Sequence, residues 1–400
     1  MLETLPFHVR ESMTKVAPHH ESVEALWLTK WRTPVYSQTC SRGIYPFVDC
    51  KLEDFDPIFD ELIKVRHSDY KTWLCTHNGL QQKLVEPYDP DTLAAPFFHP
   101  AKALTEQALN AERSGNVVLA SELYLRAAGV YRMARFPVAR SPKTFEAWEL
   151  GKEAYLKGSR YLNPANIEIT IPHTHRIDSE GPEIKCYLRV PEHASPTQQV
   201  PIVIFICGLD AYRTDHTNRT SEHVKRGFAC LSVEIPGTGD SPALKNDPLS
   251  PERQWSSVLD WIQEQEMFDR KMICVRGVST GGYYAMRIAH THADRLLAVV
   301  SQGGGSHRMF SSEWINVQNN MEYPYALVDA LMYKFGYDSV DEYKRTGKER
   351  FSFLENGIFD NPSCRLLLVN GMQDEILPIE DSIIPLEYGN VKEARQVLCF

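Results

Sequence analysis

Met272-Ile273-Cys274-Val275-Arg276-Gly277-Val278-Ser279-Thr280-Gly281-Gly282 is the stretch on which the reading of this chain turns. A short apolar run of strand character ends in a tight Gly-x-Ser-x-Gly turn, and 283–288 continues with residues that can form a helix. A serine on such a turn is held in a strained backbone, and glycines two residues to either side let strand and helix approach without a Cβ clash. Its hydroxyl then projects above the carboxyl edge of a sheet. The helix N-terminus adds partial positive charge, and the N–H of Thr280 can donate to a developing oxyanion. The five-residue pattern alone occurs by chance in many proteins. The strand before it and the helix after it make Ser279 the expected nucleophile rather than part of a structural turn.

Outward from this turn, short apolar runs recur at 167–171, 184–190, 202–207, 228–233, 272–275, 296–300, 365–369 and 395–400. The first two lie a hairpin apart across Asp178-Ser179-Glu180-Gly181-Pro182, and later ones are separated by helix-length segments such as 252–265 and 282–290. This pattern predicts an α/β-hydrolase fold, an eight-stranded and mostly parallel sheet with an antiparallel start. Residues 1–165 read differently. At 116–136, Leu119, Leu123, Ala127, Val130 and Ala134 recur at helical spacing while Glu122, Arg126 and Arg132 fall elsewhere on the wheel. The segment 144–162 repeats the pattern with Phe145, Trp148, Tyr155 and Tyr161, and 56–65 is a shorter version. The expected organisation is a helical, cap-like domain over 1–165 covering the active site, then the hydrolase domain over 166–400. The latter carries a lid-like insertion at about 312–357 and ends at the eighth strand.

The remaining site residues follow from strand order. The loop after the third strand, Gly208-Leu209-Asp210-Ala211-Tyr212, should supply the second oxyanion donor, with the Leu209 N–H first and that of Asp210 second. Asp210 and Tyr212 are also candidate substrate contacts, and Asp210 can equally be a helix N-cap. After 365–369 comes Asn370-Gly371-Met372-Gln373-Asp374-Glu375, where Asp374, or else Glu375, is the expected acid that orients a histidine. No histidine follows Asp374. Three readings stay open: the natural chain continues past Phe400, another histidine substitutes, or the chain is a non-catalytic relative. Among substitutes, His307 in the loop after the sixth strand is the best placed and is also a candidate substrate contact; His216 is similar, and His290 and His292 read as structural.

Composition narrows the partners. A formal charge of −9 over 400 residues disfavours nucleic acid and anionic membrane. The nine cysteines contain no CxxC pair. Several, such as Cys207, Cys230, Cys274 and Cys399, lie in apolar runs and read as core residues rather than metal ligands. The opening MLETLPFHVRESM has no apolar signal core, and no stretch reaches the ~18 apolar residues of a bilayer span. A cytoplasmic rather than secreted protein is expected, with no metal or other cofactor. The helical part offers a surface for a homodimer.

The chain resembles the polyketide-shortening α/β-hydrolases of fungal DHN-melanin biosynthesis, the yellowish-green heptaketide hydrolases, to which 2,6-dihydroxypseudooxynicotine hydrolase is related. The resemblance rests on Tyr124-Leu125-Arg126-Ala127-Ala128, Tyr131-Arg132-Met133-Ala134-Arg135-Phe136-Pro137, Gly208-Leu209-Asp210-Ala211-Tyr212, Glu234-Ile235-Pro236-Gly237-Thr238-Gly239-Asp240-Ser241, Gly277 to Gly282 and Asn370-Gly371-Met372-Gln373-Asp374. It implies hydrolysis of a carbon–carbon bond in a β-diketone of an aromatic polyketide, and a cytoplasmic or vesicle-associated location. Ester or lactone hydrolysis is the alternative within the same fold. Trp314, Tyr323, Tyr325 and Tyr333 of the insertion offer rings that can stack on a planar substrate, or else fill the core.

Overall fold

The computed structural model describes residues 47–58, 90–318, 327–372, 374, 376–391 and 393–399. They fall into two compact units, one holding the described residues up to Ala165 and the other those from Asn166 onward.

In the first unit α1 (Pro90–Arg113), α2 (Val117–Ala134) and α3 (Pro142–Ser159) pack together, with α2 against both of the others. Asn116 caps α2 by accepting the Leu119 N–H at 3.2 Å. The expected one-sided burial of α2 is corrected by the structure: Leu119 is exposed, whereas Leu123 to Ala134 are all buried, Arg126 and Arg132 included. Arg126 goes inside because Asp54 meets it with both oxygens, at 3.1 and 2.5 Å, and Glu53 adds a third bond at 2.7 Å. Phe145 of α3 is likewise exposed, while Trp148 and Tyr155 are buried as expected. Of the proposed helix at 56–65, residues from 59 onward lie outside the described set.

The second unit is built on an eight-stranded sheet. Its strands are β1 (Ile167–Pro172), β2 (Glu183–Arg189), β3 (Val200–Ile206), β4 (Ala229–Val233), β5 (Phe268–Val278), β6 (Ala298–Gln302), β7 (Arg365–Gly371) and β8 (Ala394–Cys399). Their spatial order is β1-β2-β4-β3-β5-β6-β7-β8. The β1–β2 and β2–β4 pairs are antiparallel and every later pair is parallel. The chain therefore has the α/β-hydrolase fold. The central strands read as unbroken apolar runs because both faces are covered: all of β4, and β3 apart from Pro201, is buried.

Three helices connect the central strands in turn: α4 (Thr217–Lys225) leads from β3 to β4, α5 (Ser250–Glu264) from β4 to β5, and α6 (Thr280–Thr291) from β5 to β6. Every residue of α6 from Thr280 to His290 is buried. One side lies on the sheet; on another, Tyr283 stacks on Phe353 with centroids 4.4 Å apart and meets Phe310 edge-on at 5.6 Å. Such pairs contribute about 0.5–1.5 kcal/mol each beyond their buried area. These partners come from the segment around α7 (Ser312–Val317), α8 (Leu327–Phe335) and α9 (Val340–Phe351). Trp314 belongs to the core there, 1% exposed, its indole N–H donating to the Ile376 carbonyl at 3.3 Å. Tyr333 is half-buried under the Lys245 ammonium, 3.9 Å from its ring centroid, and Tyr323 and Tyr325 lie outside the described residues. Cys207 and Cys230 are buried as read from the sequence, while Cys274 is only half-buried. Among the described residues no helix is long and apolar enough to cross a membrane.

His292, just after α6, is buried between Ser256 (3.0 Å) and Thr291 (2.9 Å), and burial lowers its pKa from 6.5 to about 4. Between these two values the unfolded chain takes up a proton that the folded chain refuses. Its contribution to stability is therefore complete above pH 6.5 and is lost as pH falls toward 4. Thermal melts of the wild type and His292→Gln from pH 7.5 to 4.5 should show a shallower acid decline in the variant; equal slopes would contradict this assignment.

Candidate active site

Ser279 stands between β5 and α6 at φ 59° and ψ −128°. Among the described residues it and Asp49 are the non-glycine positions at positive φ. Two backbone bonds fix the turn: the Ser279 N–H donates to Gln302 O at 2.8 Å and the Gly282 N–H to Ser279 O at 2.7 Å. The flanking glycines are required by space. A Cβ at Gly277 would stand 2.0 Å from Gly281 O, and one at Gly281 would stand 2.3 Å from Cys207 O and 2.5 Å from Ile206 O. The first turn of α6 thus rests directly on the end of β3.

That contact brings the β3 loop to the serine. A Cβ at Gly208 would lie 3.7 Å from the Ser279 Cβ, so the Gly208–Leu209 peptide is beside Ser279. The N–H groups of Leu209 and Thr280, the two expected oxyanion donors, make no hydrogen bond to a described residue. The loop is held by an ion network. Arg213, 1% exposed, donates to Glu234 at 2.8 Å, Asp240 at 2.7 Å and Glu168 at 3.3 Å, and its backbone N–H reaches Glu234 at 3.1 Å. Burial raises the Glu234 pKa while Arg213 pulls it back. Gly239, at φ +52°, is packed on the Glu234 side chain, where a Cβ would come within 2.6 Å of Cγ. The run 234–241 is therefore the anchor of the β3 loop. Within that loop Asp210 is buried, and Tyr212 is fully buried, with its backbone N–H donating to Asp215 at 2.8 Å.

Asp374 follows β7. Its Oδ1 accepts the N–H groups of Ile376 (2.8 Å) and Leu377 (3.0 Å). Its Oδ2 turns toward Gly303, at φ +62° in the loop after β6: a Cβ there would be 3.8 Å from Asp374 Oδ2 and 4.0 Å from the Ser279 nitrogen. The Asp374 carboxylate and the Ser279 backbone are thus within about 8 Å of each other across one glycine. Four loops, after β3, β5, β6 and β7, meet at the carboxyl edge of the sheet, where open α/β sheets bind ligands. The alternative acid, Glu375, lies outside the described residues.

The candidate histidines all have partners elsewhere. His307 has Nδ1 2.6 Å from Ser352 Oγ, and burial brings its pKa down to about 4, so the ring is neutral at pH 7. His216 is buried against Phe205, with Nδ1 3.1 Å from Arg219. His290 holds Asn361 O at 2.8 Å and, like His292, is buried in the interior. His8, His19, His20, His67 and His77 lie outside the described residues.

One group at the site carries no signal in the sequence. Asp381, fully buried, accepts four backbone N–H groups: Ser306 (3.0 Å) and Met309 (3.0 Å) on Oδ2, His307 (3.2 Å) and Arg308 (2.7 Å) on Oδ1. Burial pushes its pKa up to about 6 against the pull of those amides, so it is ionised at neutral pH.

The family model described as "Esterase FrsA-like" matches residues 98–389. Curated relatives include esterase FrsA of Yersinia pestis (strain Pestoides F) and of Yersinia pseudotuberculosis serotype O:1b (strain IP 31758). Each is 24% identical over 270 residues, covering 66% of this chain and 61% of the relative. The chain thus matches under two thirds of the length of these relatives. A crystal structure of 2,6-dihydroxy-pseudo-oxynicotine hydrolase superposes with a TM-score of 0.64 at 21% identity, covering 79% of this chain and 82% of that one. AbyA5 superposes with a TM-score of 0.56 at 21% identity, covering 75% and 80%. Both likenesses speak to the fold. The relationship expected from the sequence is met at the level of the FrsA-like esterase family and the α/β-hydrolase fold.

The packing of Gly281 gives a direct test. Gly281→Ala forces a methyl against two carbonyls and should lower stability by about 1–3 kcal/mol or more in chemical denaturation. Gly227→Ala, with nothing within 4 Å of the new Cβ, has only the strain of φ +82° to bear and should cost less. An equal or smaller loss at Gly281 would count against this packing.

Proposed function

Since the chain belongs to the FrsA-like esterase family, we propose that it is a serine hydrolase with Ser279 as nucleophile and Asp374 as the acid of its triad. The observation that carries this reading is the meeting of Ser279, Gly208 and Asp374 Oδ2 at one sheet edge. Ser279 Oγ attacks the substrate carbonyl carbon while a histidine between it and Asp374 takes the hydroxyl proton. This base is the member of the set to which no described residue is assigned. The N–H groups of Leu209 and Thr280 donate to the oxyanion of the tetrahedral intermediate. Collapse expels the leaving group, which receives the proton from the imidazolium, and water, deprotonated by the same base, then frees the acyl group.

Within that chemistry we take the substrate to be a small aromatic polyketide with a β-diketone. An enolate carbon then leaves in place of an alkoxide and is quenched by the imidazolium proton. The runs 124–137, 208–212 and 234–241 support this narrower reading. The esterase description of the family favours a second one, an aryl ester or lactone as substrate.

A fluorophosphonate probe should label the wild type stoichiometrically and Ser279→Ala not at all; an unlabelled wild type, or label retained in the variant, would sink the serine-hydrolase reading. Assayed side by side, a naphthopyrone-type β-diketone and 4-nitrophenyl acetate separate the substrate readings, since turnover of the ester alone selects the second. Turnover of whichever substrate is accepted should fall at least ~10³-fold in Ser279→Ala.

A further inference from the structure

Asp374 is tethered on its N-terminal side by β7, which is bonded to β6 through the Gly303 N–H and Val369 O at 2.7 Å. On the C-terminal side of its loop the Trp314 indole N–H donates to the Ile376 carbonyl at 3.3 Å, one bond that a further attachment can reinforce. Asp381 supplies one, seven residues on, in a 3-10 turn over Ile379–Ser382. Its carboxylate gathers the four consecutive N–H groups of 306–309, and its backbone carbonyl accepts the Ser306 hydroxyl at 2.9 Å. The gathered segment begins three residues after Gly303, the residue that separates Asp374 Oδ2 from the Ser279 nitrogen. The segment is braced from its other side too, where the Phe353 N–H donates to Ser306 O at 2.9 Å and Ser352 Oγ meets His307 Nδ1.

We infer that Asp381 is a positioning residue for the triad: by clamping the loop after β7 to the loop after β6, it sets where Asp374 lies relative to Ser279. The inference rests on the serine-hydrolase reading for its consequence in catalysis, and on geometry alone for the clamp. A carboxylate suits the task because it offers acceptors on both oxygens and no donor. An amide cannot replace it, since its NH₂ would face two of the four backbone N–H groups.

Asp381→Asn and the milder Ser306→Ala test this together. In folded Asp381→Asn, labelling of Ser279 by a fluorophosphonate and the kcat for 4-nitrophenyl acetate should each fall about 10- to 100-fold, with KM nearly unchanged, the pattern of a displaced catalytic group. Amide hydrogen exchange should accelerate in both 303–309 and 372–378. Ser306→Ala should shift the same readouts in the same direction by about 2- to 5-fold, and it decides the matter if Asp381→Asn does not fold. Wild-type labelling rate and kcat in a folded variant would overturn the inference, as would faster exchange confined to 303–309. Should the wild type itself prove unreactive, the serine-hydrolase reading fails and exchange alone judges the clamp: unchanged protection of 372–378 in the variants refutes it.

Discussion

A serine at φ 59° is costly on its own, of order 1–3 kcal/mol, and persists only where its surroundings leave no alternative. Here those surroundings are backbone. Gly281 lies on the carbonyls that end β3, Gly277 lies under Gly281, and the Ser279 N–H is taken by Gln302 at the end of β6. The turn is thus defined by the two strands flanking β5, and side-chain packing around α6 secures the helix that caps it. The whole carboxyl edge depends on this contact. It sets Gly208 next to the serine and brings Gly303 between the serine and Asp374.

The loops farther from that contact are held by charge. Arg213 binds the β3 loop to the β4 loop through Glu234 and Asp240, and Asp381 binds the β7 loop to the β6 loop through four amides. Directional bonds do here what apolar burial cannot, since a hydrophobic contact fixes proximity but not orientation. Breaking the Arg213–Glu234 pair would leave a buried charge without its partner, at a cost of about 3–5 kcal/mol.

All eight strands were legible because each is an apolar run bounded by turn residues, and the strand–turn–helix around Ser279 was legible because its glycines are spaced for contact. The place of Asp374, just past the carboxyl end of β7, was legible from strand order alone. Other features were hidden for physical reasons. The helix α1 contains Pro96 and Pro100, which interrupt the signal by which a helix is usually read. The burial of Arg126 depends on Glu53 and Asp54, some 70 residues away, so the wheel of α2 assigned it to solvent. Arg213 sat beside a recognised run without any spacing that pairs it to Glu234. Asp381 left no mark, because its partners are backbone N–H groups, which nearly every residue carries.

The parallel pairing of the sheet has a bearing on how the chain folds. Leu209 and Asp374 are about 165 residues apart, and the strands that unite them, β3, β5, β6 and β7, pair only across long connections. Contacts of that kind form late, since closing long loops must precede the gain from pairing. Until β6 has docked, the serine turn lacks the Gln302 carbonyl that fixes it, and until β7 follows there is no carboxylate opposite. A nascent or partly unfolded chain therefore holds Ser279 in sequence without holding it in this turn, so whatever the turn does waits on completed pairing of the sheet.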